Sequence, residues 1–226
     1  MVGIVVALYS EASSLIEKIQ NQKSFKIADK PAYSGTLDGH KVVLAISGIG
    51  KVSAALTTQK IIDDYNPDFI LNFGTCGGMN DTVKIKEYYA VENCCQFDFD
   101  LRELDGVPLG YIQEYKTALF PADVEGLDHL KKRNLATADR FITSTLDVKN
   151  INDCNCSLGD MEGGAIAQVC LSNKKPVVII KGISDVHGSG VQKTQFFANL
   201  AAVGAGFPTQ IIRAISGVCK AKNITD

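Results

Sequence analysis

Val2-Gly-Ile-Val-Val-Ala-Leu8 is an unbroken apolar run of strand length, rich in β-branched side chains. A strand with one wet face alternates polar and apolar residues, so a continuous run belongs in a sheet covered on both sides. The run therefore predicts a central strand. Beyond it, Ser10 is placed to cap a helix reaching about residue 20, with Glu11 in the first turn, where an acid suits the positive end of the helix dipole. Residues 21–30 are polar and read as a connection. Residues 32–37 and 41–47 read as strands joined at Asp38-Gly39, a hairpin signal. Gly48-Ile-Gly-Lys51 opens a helix to Tyr65, with Val52, Ala55, Leu56 and Ile62 on one face, and Asn66-Pro67 ends it.

Residues 68–73 form a second buried run. It empties into Gly74-Thr-Cys-Gly-Gly78, a turn of small residues where backbone can approach a ligand closely. Tyr88-Tyr-Ala-Val91 is strand-like, and the acidic residues 97–105 after it are irregular. A helix over 125–133, a strand over 138–143 and a helix over 161–171 follow, the last with Ile166, Val169 and Cys170 on one stripe. Residues 176–183 are the last strong strand, and a closing helix over 193–219 carries Pro208 as a point of interruption. Without repeats or linkers, this alternation predicts one domain over residues 1–226: an α/β fold, a three-layer α/β/α sandwich with a central mixed sheet.

Composition narrows the function. The 226 residues are 46% hydrophobic and 21% charged, with a net charge of -2. That balance suits a compact soluble domain and leaves no basic footprint for nucleic acid. The apolar runs are far shorter than the ~20 residues that cross a bilayer, and no basic segment precedes the N-terminal one, so a cytoplasmic setting is expected. Seven cysteines, an odd number, need no disulfides, and Cys76, Cys170 and Cys219 sit in patterns that suit buried thiols. Cys94-Cys95 and Cys154-Asn-Cys156 lack zinc-site spacing, and His40, His129 and His187 are isolated from them, so no metal is expected.

Three acids remain where apolar structure meets a turn: Glu11, Glu162 and Asp185. Splitting an N-glycosidic bond builds positive charge on the sugar. The barrier falls if the base leaves protonated and a water is aimed at the anomeric carbon. Asp185, after a buried strand, suits the acid, because desolvation raises a carboxyl pKa and Ser184 can orient it. Glu11 suits the base, and Glu162 can accept the ribose hydroxyls. Each residue also has a plainer reading, as a strand end or as an acid at a helix N-terminus. Likewise Phe141, Ile142 and Met161 suit a core as well as a site.

These pieces occur together. Gly3-Ile-Val-Val-Ala with Glu11, Ser47-Gly-Ile-Gly-Lys-Val52, Asn72-Phe-Gly-Thr-Cys-Gly-Gly78, Asp139-Arg-Phe-Ile142, Asp160-Met-Glu-Gly-Gly-Ala and Ile183-Ser-Asp-Val186 follow one order. Over nearly its whole length the chain resembles the 5'-methylthioadenosine/S-adenosylhomocysteine nucleosidases of the purine nucleoside phosphorylase/nucleosidase superfamily. The resemblance implies that Glu11 activates water and Asp185 protonates N7 of the purine. It assigns Met161 and Glu162 to the ribose, Phe141 to stacking on the base, the Ile142 backbone to the purine edge, and Ile49, Thr75 and Gly77 to the pocket. It implies a purine nucleoside and water as substrates, no cofactor, and a homodimer in which a neighbour completes the 5' pocket.

The related phosphorylases carry an arginine where this chain has Asn72, and phosphate needs such a donor, which favours hydrolysis. A futalosine-type hydrolase and an inert nucleoside-binding protein are the other readings, the last disfavoured by the presence of both an acid and a base. The segments 97–111 and 186–193 depart from the family pattern, so the 5' substituent is left open. Phe196 or Phe197 suits an apolar 5' subsite or the core, and His187 reads as a solvated loop residue.

Overall fold

A computed structural model describes residues 1–187 and 190–225. Strand β1 (Val2–Val6) leads into helix α1 (Tyr9–Ile16), then β2 (Gln20–Ile27), β3 (Lys30–Leu37) and β4 (His40–Ile46). Helix α2 (Lys51–Tyr65), β5 (Phe69–Gly78), β6 (Tyr88–Gln96), α3 (Arg102–Asp105), β7 (Phe120–Pro121) and β8 (Lys131–Thr137) follow. The chain closes with α4 (Thr145–Asp153), β9 (Leu158–Asp160), α5 (Gly163–Ser172), β10 (Val177–Val186) and α6 (Gln192–Ala221).

β1 is central, as the opening run predicts. It pairs in parallel with β4 on one side and β5 on the other. Its side chains alternate between two cores. Val2, Ile4 and Val6 pack among residues of α1 and α6 such as Leu15, Phe207 and Ile211, whereas Val5 faces Ala54, Ile61, Ile166 and Cys170 of α2 and α5. Helices thus cover both faces of a mixed sheet, which is the expected α/β layering.

The far end of that sheet closes on itself. β5 pairs with β10, β10 with β6, β6 with β8, β8 with β9, and β9 returns to β5. Register shifts between Val91 and Cys94 and between Ile183 and Asp185 supply the bends that closure needs. One consequence decides the site. Gly77 of β5 lies opposite Asp185 on one side and Gly159 on the other, so the ends of three strands meet at one mouth.

Several expectations are corrected. Leu8, not Ser10, is the N-cap of α1, and the Glu11 side chain closes the cap from within the helix. The polar segment 21–30 is largely edge strand: β2 is mostly exposed and pairs only with β3, so it shows no apolar alternation. The glycine segment 74–78 is strand rather than turn, held by pairing with β10 and β9. Turns up to residue 130 and then the start of β8 replace the helix over 125–133, and β8 ends before 138–143, which is irregular. Helix α4 is an element the sequence reading did not include; it begins at Ser144, whose hydroxyl accepts from the Asp147 N–H at 3.0 Å. On α2 the buried side is Ala54, Thr57, Thr58, Ile61 and Ile62, while Val52 is 79% and Leu56 47% exposed. α6 runs through Pro208 without interruption. Residue 204, whose carbonyl a proline ring would crowd, is a glycine, which lets the turn adapt.

Candidate active site

Glu11 sits at the third position of α1. Its Oε1 accepts from both the Thr75 N–H and the Thr75 hydroxyl at 2.7 Å, and its Oε2 accepts from the Leu8 N–H at 3.2 Å. It is buried over Gly74, where an added Cβ would lie 3.3 Å from either carboxylate oxygen. Burial pushes its pKa up, while the Thr75 donors and the Lys181 charge pull against that rise.

Glu162 caps the start of α5. Its Oε1 accepts from the Gly50 N–H at 2.8 Å, so the Gly48-Ile49-Gly50 loop ahead of α2 is tied to the start of α5. Gly50 has a φ of +98°, a conformation that favours glycine and aims its N–H at the carboxylate. Burial, reinforced by the Asp160 charge, pushes Glu162 up to about 7.

Lys181 of β10 is the residue that sequence reasoning missed on this side. Only 1% exposed, it pairs with Asp160 at 2.9 Å. Asp160 also accepts from Gly163 N–H at 2.8 Å and the Thr137 hydroxyl at 2.6 Å. Burial alone would discharge the ammonium, but Asp160 and Glu162 outweigh it and hold the lysine protonated. The signal was present: a lone cation inside the apolar run Val177–Val186 has no structural reason to be there without a buried anion.

Asp185 lies on the bulged end of β10, 1% exposed. The Ser184 hydroxyl donates to its Oδ1 at 2.7 Å and also faces the Cys76 carbonyl at 3.2 Å. The Gln192 side-chain amide donates to Oδ2 at 2.8 Å. Burial raises the Asp185 pKa, and these two neutral donors oppose the rise. Beneath it Gly77 keeps the space open: a Cβ there would come within 2.6 Å of Met79 Cε, which would have to move, and 3.2 Å of Asp185 Oδ2.

Glu11, Glu162 and Asp185 line one crevice of about 360 Å³, together with Ile49, Thr75, Gly77, Phe141, Ile142, Met161 and Ser184. Every candidate site residue from the sequence is therefore present. Asp160, Cys76, Met79, Arg140 and Gln192 also line it, though none was among the candidate site residues. Phe141 is 45% exposed and lies edge-to-face with Phe196 at 5.8 Å; Phe196 lines the mouth, and Phe197, 65% exposed, lies edge-to-face with it at 5.3 Å. Arg140 is fixed by two hydrogen bonds to Asp147, at 2.7 and 3.2 Å, which anchors the Phe141 segment to α4.

His187 is half-buried rather than solvated, and its backbone N–H donates to Gly78 at 2.9 Å. Gly188 and Ser189 of the segment 186–193 lie outside the described residues. Cys76, Cys170 and Cys219 are buried, and every cysteine is a free thiol. Among the described residues no three histidine, cysteine or acidic side chains gather as a metal-binding group.

A helix-covered mixed sheet whose closed end gathers three buried carboxylates round one crevice defines the nucleoside phosphorylase-like class. The model of the phosphorylase superfamily matches residues 1–216. Within that superfamily the chain belongs to the 5'-methylthioadenosine/S-adenosylhomocysteine nucleosidase family. The curated nucleosidase of Colwellia psychrerythraea is 32% identical over 239 residues, covering 97% of each chain. That of Bacillus subtilis is 30% identical over 230 residues, covering 94% of this chain and 98% of its own. The crystal structure of the Neisseria meningitidis nucleosidase in complex with methylthio-immucillin-A superposes with a TM-score of 0.87 at 27% identity, covering 95% and 97%.

Proposed function

We propose that this protein hydrolyses the N-glycosidic bond of 5'-substituted purine nucleosides of the methylthioadenosine/adenosylhomocysteine type, releasing the free base and a ribose derivative. Glu11 activates the water, Asp185 protonates the purine at N7, and Glu162 with Met161 holds the ribose. Phe141 stacks on the base, the Ile142 backbone meets its edge, and Ile49, Thr75, Gly77 and Ser184 complete the pocket.

The observation that carries this reading is the placement of two buried carboxyls along β5. Glu11 is bound over Gly74 and Thr75, and Asp185 stands over Gly77. Both carboxyls line the same crevice from different positions along the strand, which leaves room for a sugar carbon and a water between base and acid. Carboxyl pairs of inverting sugar hydrolases stand roughly 6.5–9.5 Å apart for the same reason.

Glu11 has both oxygens hydrogen-bonded as acceptors, the Oε2 bond being the longer, so Oε2 is the oxygen better able to take a proton from water. A pKa raised toward neutrality makes it the stronger base. The Lys181 charge pulls the Glu11 pKa down against burial and so favours the ionised form that a base needs.

Water rather than phosphate is the second substrate. Asn72 is buried, and its amide donates to the Val5 carbonyl at 3.0 Å. Arg140, the cation that lines the crevice among the described residues, is committed to Asp147, and the buried Lys181 is committed to Asp160. A phosphate dianion would need a cation of its own. The test is release of adenine from methylthioadenosine in phosphate-free buffer; product appearing only when phosphate is added would sink hydrolysis, and binding without turnover would favour an inert nucleoside binder.

The proposal includes a homodimer. The exposed Val52 and Leu56 of α2 continue from Ile49 at the crevice rim, so a second copy seated on α2 would bury them and reach the mouth. Sedimentation velocity checks it: a monomer at micromolar concentration contradicts it. The chain acts as one catalytic domain over residues 1–226 in a cytoplasmic setting; no helix of the described residues is long and apolar enough to cross a membrane.

A further inference from the structure

Three amide side chains of α6 grip the end of β10. Gln192, Gln195 and Asn199 fall on one face of the helix by their spacing. The Asn199 amide donates to the Ser184 carbonyl at 2.8 Å, and the Gln195 side-chain oxygen accepts from the Val186 N–H at 3.1 Å. Those two bonds are made to backbone and fasten the strand that carries Asp185. Gln192 differs: its amide nitrogen enters the crevice over Gly77 and donates at once to Asp185 Oδ2, at 2.8 Å, and to the Ile142 carbonyl, at 3.0 Å.

Two acceptors from separate segments therefore converge on one NH2 group. A carboxamide NH2 and the exocyclic amino group of a purine are the same kind of donor, planar with two hydrogens splayed in the ring plane. A 6-oxo group is an acceptor and would face both oxygens with no hydrogen to offer.

Resting on the nucleosidase reading, we propose that Gln192 sets selectivity at the 6-position of the purine, its side-chain amide competing with a 6-amino group for the Asp185 and Ile142 oxygens. A 6-aminopurine displaces the amide and takes over both bonds. The Gln192 amide thus weakens adenine binding by the free energy of the bonds that must be exchanged. It also keeps the two acceptors satisfied, so that neither stands buried without a donor.

The experiment is calorimetric titration of adenine and of hypoxanthine into wild type, Gln192→Ala, Gln192→Leu and Asn199→Ala, with steady-state kinetics on methylthioadenosine. One net hydrogen bond corresponds to roughly a 3- to 10-fold change in affinity. Gln192→Ala and Gln192→Leu are expected to bind adenine tighter by about that factor and hypoxanthine no tighter, with the gain appearing in KM. Asn199→Ala, which loosens the acid-bearing strand without touching the two oxygens, is expected to leave the adenine-to-hypoxanthine ratio unmoved. A general loosening of the strand cannot strengthen binding of one base alone. Adenine binding that is weaker or unchanged in both Gln192 variants overturns the proposal. Wild type that neither binds adenine nor releases it from methylthioadenosine instead overturns the nucleosidase reading, so the two failures are distinct.

Discussion

The two sides of the crevice solve the same problem, a carboxyl buried away from water, by different means. On the Glu11 and Glu162 side the acceptors are served by backbone N–H groups of Leu8, Thr75 and Gly50 and by the Thr75 hydroxyl, and a cation paired with Asp160 is buried nearby. On the Asp185 side the partners are a hydroxyl and a carboxamide, both neutral. Burial pushes all three carboxyls toward the protonated form, but only on the first side does a fixed charge, Lys181, push back. A permanent cation defends ionisation and so suits a base. Neutral donors that can reorient tolerate either protonation state, which suits an acid that must give up its proton and regain it.

The largest expected effects separate the two roles. Glu11→Gln and Asp185→Asn should each lower kcat by roughly 10²- to 10⁴-fold, the usual loss for a general base or acid. A nucleoside already methylated at N7 carries the positive charge that Asp185 would create. Its hydrolysis should be rescued in Asp185→Asn and stay slow in Glu11→Gln. The opposite pattern of rescue would reverse the assignment of acid and base.

Removing the cation tests the electrostatic half of the contrast. Lys181→Met leaves Asp160 and Glu162 buried without a counter-charge, and breaking a buried pair in this way costs about 3–5 kcal/mol. Because Lys181 lowers the pKa of Glu11, its loss raises that pKa further. If Glu11 is the base it must be ionised, so the acid limb of the kcat/KM profile should move to higher pH, while the alkaline limb, assigned to Asp185 by the same proposal, stays. Melting curves and a pH profile read both, and an unmoved acid limb would mean that the two sides are not wired differently.

Glu162 offers a smaller effect with an unusual sign. Its folded pKa of about 7 lies above the 4.5 of an unperturbed glutamate, so it binds its proton more tightly folded than unfolded. The stability it contributes is complete below 4.5 and lost as pH rises through about 7. At pH 8 the ionised side chain therefore opposes folding, and Glu162→Gln should stabilise the protein by roughly 1–3 kcal/mol there and by little at pH 4.5, while raising KM for ribonucleosides. A variant less stable at pH 8 than wild type would show that Lys181 outweighs burial at this carboxylate.

What the sequence revealed follows the same division. β1 was legible because both of its faces are covered, so every residue from Val2 to Val6 had to be apolar. The hairpin at Asp38-Gly39 was legible because both residues have positive φ, 51° and 87°, in the structure. β2 was not, since a strand exposed on both sides carries no period for a pattern to find. The glycines 74–78 misled because close approach of backbone to ligand is common to turns and to strand ends. The acids stood out as charges beside apolar runs, whereas Lys181 acts through Asp160 and Gln192 through Ile142 as well as the nearby Asp185, and the folded sheet brings Asp160 and Ile142 close. Sequence order can nominate a site residue; the pairing of β5, β9 and β10 decides what surrounds it.

The outer rim should give the smallest response, and it bears on whether the acid side extends into recognition of the base. Phe141 is half-exposed and held edge-on to Phe196, which in turn rests on Phe197. A purine stacked on Phe141 would cover its exposed face, and aromatic contacts of this kind are worth about 0.5–1.5 kcal/mol beyond the area they bury. Phe141→Ala should therefore raise KM by roughly 3- to 10-fold and leave kcat nearly intact, because the ring touches neither the leaving proton nor the water. Phe196→Ala should act in the same direction but less, and the double variant should fall short of the sum, since Phe196 contributes partly by holding Phe141 in place. Strict additivity in that cycle would mean that each ring meets the substrate on its own. A fall in kcat as large as that of Asp185→Asn would move Phe141 from binding into the chemistry.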